Sequence, residues 1–129
     1  MRIMIAAAAL AAAASPSIAE TPASPALQRL MADRVAGEPV SCVRRTPTLR
    51  TRIVDERTVT FSSGSKTLFL TEPADCPGLK AGRNIDLMPD AKQFCENDEV
   101  AVIDLSAGVE HGICRLGKFT PWTRAAKGR

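Results

Sequence analysis

The chain has 129 residues, with 17 Lys and Arg against 14 Asp and Glu and a formal net charge of +3. A charge this small, with cations interspersed among acids, argues against a dedicated nucleic-acid binder. Four Phe, one Trp and no Tyr are too few aromatics for a platform that stacks sugars or single-stranded nucleic acid.

Met1 and Arg2 make a charged start, Ile3 to Ala14 an apolar run, and Ser17-Ile18-Ala19 a small-x-small exit. This is the pattern of a secretory signal peptide over 1–19, with the cut expected between Ala19 and Glu20. The 12-residue run is short of the roughly 20 residues that cross a bilayer. No cysteine stands at the cut to carry a lipid anchor. The reading is a soluble periplasmic or secreted protein without a membrane span. Arg2 leaves with the leader, so the remaining 110 residues carry 16 basic and 14 acidic side chains. That is one domain with one modest core.

Residues 20–38 read as a lead-in followed by a short helix. Ser24 suits the N-cap, Pro25 the first helical position, and Gly37 and Pro39 a stop. Leu27, Leu30, Met31 and Val35 recur at helical spacing and define an apolar stripe. The helix then lies on the domain or offers the stripe to a partner.

From 39 to 121 the pattern becomes short strand-like runs parted by turn residues. Strands are expected over Val40–Arg44, Thr51–Val54, Thr58–Phe61, Lys66–Thr71, Asn84–Met88, Val100–Leu105 and His111–Leu116. Gly64 serves a hairpin turn by taking positive φ. Asp75-Cys76-Pro77-Gly78 predicts a tight turn with Pro77 and Gly78 at its centre. Phe61 and Phe69 fit as cross-strand core partners. The fold class is mainly β, a small antiparallel barrel or sandwich with two disulfides and one short N-terminal helix. Residues 122–129, with Trp122, Arg124, Lys127 and Arg129, read as a basic flexible tail.

Cys42, Cys76, Cys95 and Cys114 form an even set in an exported chain, which implies two disulfides. Three pairings are open. The preferred one is Cys42–Cys114 with Cys76–Cys95 nested inside, stapling the first strand to the last. Each bridge stabilises by about 2–4 kcal/mol. Redox catalysis is disfavoured because no Cys-x-x-Cys occurs. His111 and Cys114 lack a second close pair to complete a zinc site.

Other chemistries also fall short. Ser63-Gly64-Ser65-Lys66 matches the Ser-x-x-Lys of penicillin-recognising enzymes, but it sits in a hairpin turn, without Ser-Asp-Asn or Lys-Thr-Gly. His111 is the only histidine, and no Gly-x-Ser-x-Gly elbow supplies it with a nucleophile. Asp86, Asp90, Glu96, Asp98 and Glu99 bracket Cys95 without the order of a calcium loop. They read as polar turns. No catalytic, cofactor or metal residue is assigned.

Cys42-Val43, Asp55-Glu56-Arg57-Thr58-Val59, Cys76-Pro77-Gly78-Leu79, Cys95 and Cys114-Arg115-Leu116-Gly117-Lys118-Phe119 together carry a likeness. Over roughly 39–121 the chain resembles small exported proteobacterial proteins collected as a domain of unknown function. In these, four cysteines punctuate a strand-rich domain behind a signal peptide. The resemblance implies the cysteine framework and the exported setting, and no activity. A framework complete for stability beside no complete set for catalysis points to a non-catalytic binding or interaction domain. Its expected partner is another envelope protein, met through an open strand edge or the Leu27–Val35 stripe. The alternatives are a small-ligand carrier, a small envelope hydrolase or an enzyme inhibitor.

Overall fold

The computed structural model describes residues 22–64 and 66–124. The leader with its Ala19–Glu20 cut, Ser65, and the tail residues 125–129 lie outside them. Alternation of apolar and polar side chains from Leu49 onward produces antiparallel ladders, as a period of two requires. In chain order the elements are α1 (Pro25–Met31), β1 (Arg34–Ala36), β2 (Cys42–Arg44), β3 (Leu49–Ile53), β4 (Val59–Ser63), β5 (Thr67–Thr71), β6 (Asn84–Asp86), β7 (Gln93–Cys95), β8 (Glu99–Asp104), β9 (Val109–Arg115) and β10 (Thr120–Arg124).

Three sheets result, ordered β1-β10-β5-β4-β3, β2-β7 and β6-β8-β9. The fold is mainly β with one short helix. The sheets are not closed into a barrel, which corrects that half of the expectation. Closure needs unbroken pairing, whereas β3 packs beside β6 without a ladder between them. The inner faces of all three sheets meet in one core: Val59 and Phe61 from the largest, Val43 and Phe94 from the smallest, Val100 and Val102 from the third. Phe61 is its centre, with Phe119 edge-on at 5.3 Å and Phe94 at 5.8 Å between ring centroids. Phe61 and Phe69 are register partners, as their alternation implies.

The disulfides are Cys42–Cys95 and Cys76–Cys114, so the nested pairing of Cys42 with Cys114 and Cys76 with Cys95 is corrected. The ladders decide it. Cys42 and Cys95 are register partners of β2 and β7. On either side of them Glu96 N–H donates to Ser41 O and Arg45 N–H to Lys92 O. The cysteines therefore occupy a non-hydrogen-bonded position, where facing side chains come closest. Ala74 and Arg115 exchange backbone hydrogen bonds, laying the segment before Cys76 along β9. Cys114 points inward there, 2% exposed. The segments leading into β2 and β10 meet by backbone instead, since Val40 and Phe119 exchange N–H···O bonds of 2.7 and 2.9 Å. The bridges close interlaced loops of 53 and 38 residues. Each is worth about 4 kcal/mol by chain entropy alone.

Two further expectations change. The helix ends at Met31, and Val35 belongs to β1 rather than to the helical stripe. Trp122 and Arg124 lie in β10, between β1 and β5, rather than in a tail. Pro121 is tolerated within β10 because its carbonyl, accepting from Gly37 N at 2.7 Å, points toward β1. The position of the missing N–H lies on that same side, so the β5 ladder loses no bond. β1 has already ended at Ala36.

Candidate functional site

The site grows from a short helix whose Leu27, Leu30 and Met31 are half-buried and whose other side chains are exposed. Ser24 is the N-cap of α1, and its hydroxyl works in both directions. It accepts from Leu27 N–H at 3.2 Å and donates to the Asp55 carboxylate, 2.6 Å away and 31 positions on. Asp55 leaves β3 into a tight loop closed by Val54 N–H donating to Thr58 O at 2.9 Å. Its other carboxylate oxygen accepts from Arg57 N–H at 2.9 Å, the Asx turn that a short carboxylate favours. Burial, the largest single influence, pushes the Asp55 carboxyl up. The hydrogen bonds from Ser24, Arg57 and Thr58 together outweigh it and hold the group below its ordinary 3.8.

No residue of α1 is buried. An open cleft of about 600 Å³ lies beside the N-terminal turn of α1. Pro25, Ala26 and Leu27 of α1 line it together with Val54, Thr58 and Ala81. The rim is charged. Arg57 pairs with Glu72 at 3.5 Å across exposed surface, and Lys80 stands beside them. A polar cleft of about 380 Å³ adjoins it, sharing Glu56, Arg57 and Lys80 and reaching Pro77 and Arg83. Arg83 is held there by donating to Gly78 O at 2.6 Å. The arrangement can enclose an apolar group while its charged rim meets a polar end.

The residues weighed in the sequence lie elsewhere and apart. His111 sits on β9 at an irregularity where two residues, His111 and Gly112, oppose Val102, and Gly112 takes φ +102°. Gly78 packs against the His111 backbone carbonyl, and among the described residues no hydroxyl hydrogen-bonds the imidazole. Ser63 engages Thr46 and Thr48 instead, at the end of β4. Gly64 holds the hairpin turn with φ +72°, as its position implied.

The carboxylates also have local employment. Asp98 accepts from Cys95 N–H at 2.7 Å, closing the turn in which Asn97 takes φ +72°. Glu99 pairs with Arg115 at 3.8 Å. Asp86 and Asp90 are exposed, and no group of three metal-capable side chains gathers among the described residues. The Leu27, Leu30 and Met31 part of the apolar stripe is half-buried, and Val35 is 58% exposed on β1.

Sequence reasoning found Ser24 as a cap and passed over Asp55, Lys80 and the cleft itself. Asp55-Glu56-Arg57 reads only as a polar break, and nothing local links it to Ser24. Comparison with known proteins gave no matching family model, no similar curated protein and no similar solved structure.

Proposed function

We propose that this chain is an exported, disulfide-stapled binding domain that acts without covalent chemistry, and that the cleft beside the N-terminal turn of α1 is where it binds. The cleft carries the reading: its volume of about 600 Å³ falls within the range of about 300–1,000 Å³ usual for small-ligand sites. Its apolar walls and charged rim suit an apolar body with one polar end. That body belongs to a small ligand or to the side chains of an envelope partner. Two disulfides support an oxidising, extracytoplasmic setting, and the 1–19 leader supplies the route there. Among the described residues no hydroxyl hydrogen-bonds His111, which favours binding over hydrolysis.

Native mass spectrometry of protein recovered from outside the cytoplasm tests this. The expected spectrum shows a chain beginning at Glu20 with a defined non-covalent adduct. Ala26→Trp, which fills the cleft from an exposed lining position, abolishes the adduct. A second arm captures partners from the envelope with wild-type and Ala26→Trp baits. Absence of any adduct and of any partner sensitive to Ala26→Trp, with both baits folded, overturns the proposal.

A further inference from the structure

The cleft beside α1 runs into the polar cleft, and the two share Glu56, Arg57 and Lys80. Four charged side chains line the polar one, and three of them, Arg57, Lys80 and Arg83, are cations. The segment from Cys76 to Arg83 that carries two of these is fixed at several points. The Cys76–Cys114 bridge ties it to β9, and Leu79, 3% exposed, anchors it in the core. Leu79 N–H donates to Cys76 O at 3.2 Å and Arg83 N–H to Lys80 O at 3.1 Å, making two successive turns. The Arg83 side chain closes back on Gly78 O at 2.6 Å. The backbone under these cations is therefore set before a ligand arrives, which lowers the entropy cost of binding.

The acids nearby are largely engaged, and the cations are not. Asp55 accepts from the Ser24 hydroxyl and from Arg57 N–H. Glu72 lies 3.5 Å from Arg57 with both side chains about half exposed, a pair that solvent keeps weak. Among the described residues neither Lys80 nor Arg83 pairs with a carboxylate. Arg83 uses one donor on Gly78 O, and a guanidinium has about five. Glu56 is the one acid that lines the polar cleft. A positive excess thus stands where the apolar cleft ends.

Resting on the proposal that the cleft binds, we infer that its occupant is a free alkyl-chain carboxylate. The chain lies along Ala26, Leu27, Val54 and Ala81, and the head meets Arg57 and Lys80. Arg57 already faces one carboxylate, that of Glu72, and its planar fork matches such a group with paired donors. A neutral amphiphile leaves the positive excess unanswered, and a cationic one is repelled by it. A peptide segment fits less well, since its backbone polar groups need partners that apolar side chains do not supply.

The test titrates the full chain calorimetrically with dodecanoate, dodecanol and dodecyltrimethylammonium, each below its micellar concentration. Dodecanoate is expected to bind one to one and about ten-fold tighter than dodecanol, the worth of two exposed ion pairs, with the cationic amphiphile weakest. Arg57→Gln with Lys80→Gln is expected to remove that ten-fold advantage and to leave dodecanol unchanged. Both positions are exposed, so the circular dichroism of this variant should match wild type. Lys92→Gln removes a cation that lines neither cleft and is expected to change no affinity. Ala26→Trp should abolish dodecanoate and dodecanol binding alike, whereas adhesion to the apolar 3–14 run would be blind to it. Dodecanol bound as tightly as dodecanoate, no binding of dodecanoate, or equal loss in Lys92→Gln would overturn the carboxylate. The cleft itself would survive those results as long as a ligand or partner remained sensitive to Ala26→Trp. Dodecanoate binding that persists in folded Ala26→Trp would overturn the placement of the chain in the cleft.

Discussion

Ser24→Ala removes one oxygen and with it both tethers of α1. The hydroxyl caps Leu27 N–H and reaches the Asp55 carboxylate at 2.6 Å. Loss of an N-cap costs about 0.5–2 kcal/mol. The bond to Asp55 lies in a half-exposed site, where screening leaves less than the full worth of a charged hydrogen bond. Taken together, about 1–2 kcal/mol of local stability is lost, a five- to thirty-fold rise in the open population of α1. Because no residue of α1 is buried, the cost stays local, and the unfolding midpoint of the domain is expected to stay nearly fixed. Amide hydrogen exchange reads both quantities at once. Exchange within 25–31 should accelerate by that factor, while amides of β4 and β8 keep their protection. Equal acceleration in the core strands, or none in α1, would refute the picture of a helix start held by the Ser24 hydroxyl.

Other expectations follow from the same contacts. Phe61→Ala empties the centre of the aromatic cluster at a residue with 0% exposure. It is expected to cost about 3–5 kcal/mol, read as a lower denaturant midpoint with the disulfides intact; a loss under 1 kcal/mol, about a fivefold change in equilibrium, would contradict the packing. Gly78→Ala drives a methyl into the His111 backbone carbonyl. It is expected to destabilise by about 1–3 kcal/mol through overpacking, whereas Gly64→Ala, which meets no neighbour, costs only its positive φ. Asp55 has a carboxyl held below 3.8 in the folded chain. Its contribution is complete above that ordinary value and is lost as pH falls through the lower folded value. Acid below that point should therefore lower the protection factors of the α1 amides, taken relative to intrinsic exchange at each pH, and Asp55→Asn should remove that dependence.

Legibility in the sequence tracked how much local pattern each element carried. Val59, Phe61, Val100 and Val102 alternate with partners over five or six residues, enough to announce β4 and β8. β7 has three residues and one inward side chain, Phe94, so no period exists to read. β10 was hidden by Pro121, whose place in a central strand depends on which neighbour its missing N–H faces. Val35 kept helical spacing with Leu27 and Met31, but pairing with Thr123 won it for β1. The cysteines announced two bridges without their partners, because the choice lies in the β2–β7 register and in the Ala74–Arg115 bridge. The cleft was invisible for a similar reason. Ser24 and Asp55 are 31 residues apart, and each makes ordinary local sense alone.

The central claim is that every thiol is consumed in a scaffold set by the β ladders. Peptide mapping of the non-reduced protein, recovered from outside the cytoplasm, measures it directly. Cys42 should emerge joined to Cys95 and Cys76 to Cys114, with no sulfhydryl left to alkylate. Cys42 joined to Cys114 or to Cys76, or free thiols in folded material, would contradict the account.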